Sequence, residues 1–209
     1  MSEIVMYGRT LSSSERSRVD AYLAAKYGLT LDQATATDYY ASDWNGTAGT
    51  KMWSSFAANV SGTKYDDDIT VIGRDDNGSL DQRQSKSQTT TGLVAIGHGT
   101  LAATNQDNTN TFTNDKTFMT IASESSNTPA WTNTYLGYQA PDDRQTLNRV
   151  WQAQKVGTVG SVKIQVPDNS STLTSKLPSE GAGTLYMLIS SSADFSVATE
   201  VPMTLNGTN

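Results

Sequence analysis

The chain has 209 residues, a mass of 22.5 kDa, a formal net charge of −6 and a pI near 4.7. It holds no cysteine and one histidine, which excludes a disulfide scaffold, a thiolate metal site and a cysteine nucleophile. The acidic balance, with no Lys/Arg-rich run, argues against a phosphate-binding surface, and no apolar run approaches the roughly 18 residues of a membrane helix.

The acids are lopsided: 16 Asp stand against 5 Glu, alongside 24 Ser and 29 Thr. Glu is the better helix former, whereas Asp, Asn, Ser and Thr bond neighbouring backbone and favour turns. The composition therefore describes a loop-rich β protein. It also supplies short hard-oxygen ligands of the kind calcium takes, so turn chemistry and calcium binding both stand as readings.

In chain order, Glu3-Ile4-Val5-Met6-Tyr7 reads as a strand and Gly8-Arg9-Thr10 as the turn out of it. Ser12 and Glu15 have capping-box spacing, so a helix is expected to Tyr27, with an apolar stripe of Val19, Leu23 and Tyr27 beside Tyr22 and Ala24. Gly28 is placed to close it. Beyond Leu31 short β-like runs take over: Ile69–Ile72, Leu93–Ile96, Thr117–Ile121, Val150–Gln154, Ser161–Val166 and Leu185–Ser190. Polar clusters such as Thr104–Asn110 and Asp168–Ser175 separate them. This spacing predicts a mainly β, antiparallel sandwich-like single domain with one N-terminal helix. The layout further suggests a single module, residues 1–209, excised from a longer polypeptide. Trp44, Trp53, Trp131 and Trp151 read as core or half-buried residues, or alternatively as an aromatic platform for sugars.

Enzyme chemistry finds little support. His98 ends an apolar run without a second imidazole, and neither a G-x-S-x-G elbow nor a glycine-rich phosphate loop is present. A glycosidase carboxylate pair is conceivable in so Asp-rich a chain, but nothing marks one pair over another. We therefore expect a non-enzymatic protein.

The densest polar constellation runs from Tyr65 to Ser87. Asp66, Asp67 and Asp68 precede a short apolar run, and Arg74, Asp75, Asp76 and Asn77 follow it. Asp75-Asp76-Asn77-Gly78 alternates oxygen ligands with a turn-permitting glycine, as calcium loops do, without the terminal Glu of an EF-hand. An Asx-turn hairpin explains the same residues. Arg74 beside a cation would make a receptacle for a carboxylate; equally, it could pair with Asp75 or Asp76 and hold the loop. Gln82, Gln84, Ser85 and Ser87 follow along an outgoing strand whose polar face suits ligand binding or solvent. Asp38 with Asp43, and Asp142 with Asp143 and Arg144, are weaker acid groups of the same type.

Five segments together carry a family resemblance. They are E-I-V-M-Y-G-R-T-L-S-S-S-E-R-S-R-V-D-A-Y-L-A-A-K-Y-G-L-T-L at the start, D-Y-Y-A-S-D, D-I-T-V-I-G-R-D-D-N-G-S-L-D-Q-R-Q-S-K-S, N-R-V-W-Q-A-Q-K-V-G-T-V-G, and L-Y-M-L-I-S-S-S-A-D-F. The chain resembles a module of very large bacterial surface proteins that often adjoins concanavalin-like domains, and within that group the peptide-binding domain of giant RTX adhesins. The resemblance implies an extracellular, calcium-dependent adhesion domain that captures the free C-terminus of a partner protein. It places the site in the I-G-R-D-D-N-G region. The expected calcium ligands are Asp66, Asp67, Asp68, Asp75, Asp76 and Asn77, and the expected ligand contacts are Arg74, Gln82, Gln84 and Ser85. A calcium-dependent lectin-like module is the alternative, with the ion chelating sugar hydroxyls over a tryptophan.

Overall fold

A computed structural model describes residues 3–55, 64–89, 91–124, 130–132, 134–135, 138–139, 145–166, 185–192 and 195–204. Helix α1 spans Ser13–Tyr27 and starts as its sequence dictates. The Ser12 hydroxyl accepts from the Glu15 N–H, and the Glu15 carboxylate accepts from the Ser12 N–H, so two otherwise orphaned amides are satisfied reciprocally. Gly28 closes it in the left-handed region at φ 63°. A Cβ there would also lie 2.1 Å from the Lys86 carbonyl oxygen, so no other residue fits.

The strands follow in order as β1 (Tyr39–Tyr40), β2 (Lys51–Trp53), β3 (Asp67–Asp75), β4 (Leu80–Gln82), β5 (Gln84–Lys86), β6 (Ala95–His98) and β7 (Thr117–Ser123). Four short ones come next: β8 (Trp131–Thr132), β9 (Thr134–Tyr135), β10 (Tyr138–Gln139) and β11 (Thr146–Leu147). The last are β12 (Trp151–Val156), β13 (Val162–Gln165), β14 (Tyr186–Ile189) and β15 (Thr199–Pro202). Every pairing among them is antiparallel.

A four-stranded sheet, β12-β7-β3-β4, is the middle layer of the fold. Because side chains alternate along a strand, β3 sends Ile69 and Val71 to one face and Ile72 to the other. On the first face they meet Ala21, Ala24 and Ala25 of α1, together with Tyr39, Met52 and Trp53 of the β1–β2 hairpin. On the second face Ile72 and Ile121 pack against Val94, Ile96, Phe112 and Val159, and so against the three-stranded sheet β13-β6-β5. Being covered on both sides explains why β3 is an almost continuous apolar run rather than an alternating one. The protein is thus mainly β with one helix, sandwich-like, as its composition predicts.

All six expected strands are present, with β3 longer than its apolar centre and β6 displaced toward His98. Two features differ from expectation. The buried face of α1 is the small-residue stripe Ala21, Ala24 and Ala25, while Val19, Leu23 and Tyr27 are only half-buried. Small residues let the helix sit close to the sheet. The segment Glu3–Tyr7, expected as a strand, joins no ladder among the described residues. No helix among the described residues is long and apolar enough to cross a membrane.

Candidate functional site

The β3–β4 hairpin carries the Asp75–Asn77 motif. Asp75 ends β3 opposite Leu80, and Asp76 to Ser79 form the turn, closed by the Ser79 N–H donating to the Asp76 carbonyl at 3.1 Å. Asp75 is buried and serves as a hub. It accepts from the Ser42 N–H (2.6 Å), the Ser42 hydroxyl (2.5 Å), the Gly78 N–H (2.9 Å) and the Lys116 ammonium (2.6 Å). Burial pushes its carboxyl upward, but Lys116 and Ser42 outweigh that and hold it below the usual range. Asp76 forms a bidentate pair with Arg74, at 2.6 and 3.0 Å, and Arg74 donates further to the Phe112 carbonyl at 3.0 Å. Of the two expectations for Arg74, the loop-holding pair is the one the geometry displays, with Asp76 as partner.

The acids ahead of β3 lie elsewhere. Asp68 and Asp75 sit seven residues apart on one extended strand, so about 23 Å separates the two clusters. Asp68 is buried in a polar knot: it accepts from Arg149 at 3.1 Å and from the Thr89 hydroxyl, with the Ser87, Thr91 and Ser123 hydroxyls at its rim. Asp66 and Asp67 are half-buried at the strand's entrance. Calcium needs six to eight oxygens around one point. Here Asp75, Asp76 and Asp68 are already met by cationic donors, and among the described residues no three His, Asp or Glu side chains converge. As arranged, the Asp75, Asp76 and Asp68 carboxylates are each held by a protein cation.

The outgoing residues serve the fold. The Gln82 amide donates to the Gln84 carbonyl at 2.7 Å, and the Gln84 amide pairs twice with the Ala102 backbone, at 2.8 and 2.7 Å. Ser85 is buried opposite Ile96. Asp38 is tied to Lys51 and Ser55, and Asp43 to Thr50, at the two ends of the β1–β2 hairpin. Asp142, Asp143, Arg144 and Asp168–Ser175 lie outside the described residues. Trp53 is fully buried, and one face of Trp44 is taken by Tyr40 at 4.2 Å between ring centres. His98 ends β6 and stacks on Phe112 at 4.3 Å.

One opening that the hairpin lines is a groove of about 540 Å³ between the segment before α1, the Glu15–Tyr22 flank of α1 and the Asp75–Leu80 turn. Its apolar lining includes Val5, Leu11, Val19, Met52 and Leu80, with Tyr7, Tyr22 and Tyr40 adding aromatic surface. Its carboxylates are each neutralised: Glu3 by Lys26 at 3.0 Å, Glu15 by Arg9 at 2.5 Å, Asp75 by Lys116 at 2.6 Å. The Lys26 and Arg9 pairings hold Glu3 and Glu15 below the usual carboxylate range. Arg18 is the exception. Its guanidinium donates to the Ser42 carbonyl at 2.8 Å, and among the described residues no carboxylate pairs with it. A half-buried cation, oriented by a backbone oxygen in an apolar-lined cleft, is a ready partner for an anion. No motif singles out Arg18; its one legible signal is a position one helical turn after the capping Glu15 and one before Ala21.

Over residues 15–209 the sequence matches a family model described as a domain of unknown function, DUF8202. Comparison with curated proteins gave no significant match, and neither did comparison with solved structures. The family match takes in α1 from Glu15 onward, the β3–β4 hairpin and both main sheets, and the chain belongs to the DUF8202 family.

Proposed function

We propose that the chain is a non-catalytic recognition domain of the bacterial surface-adhesion type, whose groove takes the free carboxyl end of an extended peptide. The observation that carries this reading is the charge pattern of the groove: Glu3, Glu15 and Asp75 are paired with protein cations, whereas Arg18 has no carboxylate partner among the described residues. The lining supports it too, because a few polar groups set among apolar and aromatic walls suit a peptide end better than a highly charged ligand. The extracellular setting rests on the resemblance to giant adhesins. The carboxylate meets Arg18 in this reading, in place of Arg74. Calcium, which the resemblance implies, would join only by displacing Lys116 from Asp75 or Arg74 from Asp76.

An array of randomised hexapeptides with free or amidated carboxyl ends tests the reading, run once with EDTA and once with calcium. Binding of free acids over amides under both conditions is the expected result. Equal capture of the two forms, or none, refutes the carboxylate reading; capture only with calcium shows that the ion and not Arg18 does the work.

A further inference from the structure

The residues that precede α1 have no backbone partner among the described residues. Glu3, Val5, Tyr7, Arg9 and Leu11 all line the groove, while Ile4 and Met6 stand further outward, at 66% and 88% exposure against 41% for Val5 and 49% for Tyr7. That is the two-residue alternation of a β-strand. Both ends are fastened. The Glu3 carboxylate accepts from Lys26 (3.0 Å), Tyr27 (3.0 Å) and Tyr22 (3.2 Å), and Arg9 grips Glu15 through two nitrogens at 2.9 and 2.5 Å. Between those anchors, no N–H or C=O of Ile4 to Gly8 bonds to any described residue. A fastened, extended, unpaired backbone is a template for strand addition.

We infer that residues Ile4–Gly8 are the docking edge of this groove: a ligand peptide adds as a β-strand along them, with alternate side chains dropping beside Val5 and Tyr7. This rests on the peptide reading above and specifies its mode. The occupant is an extended polypeptide, apolar at alternate positions and ending in a carboxylate. Arg18 supplies the charge complement, and five residues of free edge, about 17 Å, match a peptide of similar length. Backbone bonds then supply sequence-tolerant affinity, and the groove wall supplies the selection.

Strand addition has a parity that side-chain binding lacks. The N–H groups of residues 4, 6 and 8 point to one edge and those of 5 and 7 to the other, so a single added strand uses one set. The test takes the best-binding free-acid hexapeptide from the array and follows amide exchange by NMR in the full chain. Proline variants Ile4→Pro, Val5→Pro, Met6→Pro and Tyr7→Pro are titrated alongside, with Val5→Ala and Tyr7→Ala as side-chain controls. Expected are at least tenfold slower exchange at amides of one parity and at least tenfold weaker binding for prolines of that parity only. Binding that stays Arg18-dependent without such protection, or that all four prolines leave within threefold, overturns strand addition while leaving the peptide reading intact. A peptide-free dimer that masks the same amides assigns the edge to a second copy and also overturns it. Failure of every hexapeptide to bind overturns both.

Discussion

Replacing Asp75 by Asn keeps the side chain's shape and removes its charge. In the native fold this carboxylate accepts four hydrogen bonds, from both Ser42 donors, the Gly78 N–H and Lys116, with the Asp75 and Lys116 side chains only 4% and 17% exposed. The amide of Asn has one acceptor oxygen, so its NH2 must face a donor on the other side. Among the described residues Lys116 then keeps Asp115, at 3.1 Å, as its one carboxylate partner. Breaking a buried pair by removing one partner costs about 3–5 kcal/mol; the exposure left to Lys116 and its second partner place this case near about 3 kcal/mol. For a domain of this size that lowers Tm by about 6–12 °C. Urea denaturation and thermal melting, each with EDTA and with calcium, measure it. The same loss is expected in both, because the donors that Asp75 satisfies are protein groups. A cost below about 1 kcal/mol refutes the hub; a deficit that appears only with calcium would make Asp75 a metal ligand.

Three further outcomes follow from the packing and the charges. Arg149→Met strands the Asp68 carboxylate in its buried knot and should cost about 3–5 kcal/mol in urea, while Asp68→Asn added to it recovers part of the loss, since Asn tolerates the φ of 51° held there. Gly28→Ala should cost about 3 kcal/mol by chemical denaturation, because it forces a left-handed backbone on alanine and drives its Cβ onto the Lys86 carbonyl. The carboxyls of Glu3, Glu15, Asp38, Asp75 and Asp115 are all held low in the fold, so between their folded and unfolded values the unfolded chain binds more protons. Stability from these groups is then complete above about pH 5 and is lost as pH falls through the folded values. Tm measured across that range should be flat above about pH 5 and drop below about pH 4, with a shallower drop in Asp75→Asn.

The helix could be read from sequence because its signals are local: Ser12, Glu15 and Gly28 each satisfy a nearby backbone group, so no distant residue is needed to place them. The apolar centre of β3 was legible for a related reason, since an unbroken run signals a strand covered on both faces. The outgoing strand expected over Gln82–Ser87 is instead two short ones, β4 and β5, broken at Arg83, because their edges pair with β3 and β6 in different sheets. The acid clusters illustrate the limit for the site. Sequence proximity puts Asp68 and Asp75 in one constellation, whereas an extended strand holds them at opposite ends and gives each a cation from far along the chain, Arg149 and Lys116. Arg18 was hidden for the converse reason. What distinguishes it is that no carboxylate among the described residues pairs with it, and that depends on where Glu3, Glu15 and Asp75 find their own partners.

The most direct measurement is calorimetric titration of a free-acid hexapeptide and its amide into the native protein and into Arg18→Gln, after melting curves show that the variant folds. A charge-assisted hydrogen bond contributes about 1.5–3 kcal/mol, or roughly ten- to a hundredfold in affinity. The amide on the native protein and the free acid on Arg18→Gln should both fall by at least tenfold, and combining the two changes should add little. Full-strength binding of the free acid to Arg18→Gln would contradict the account.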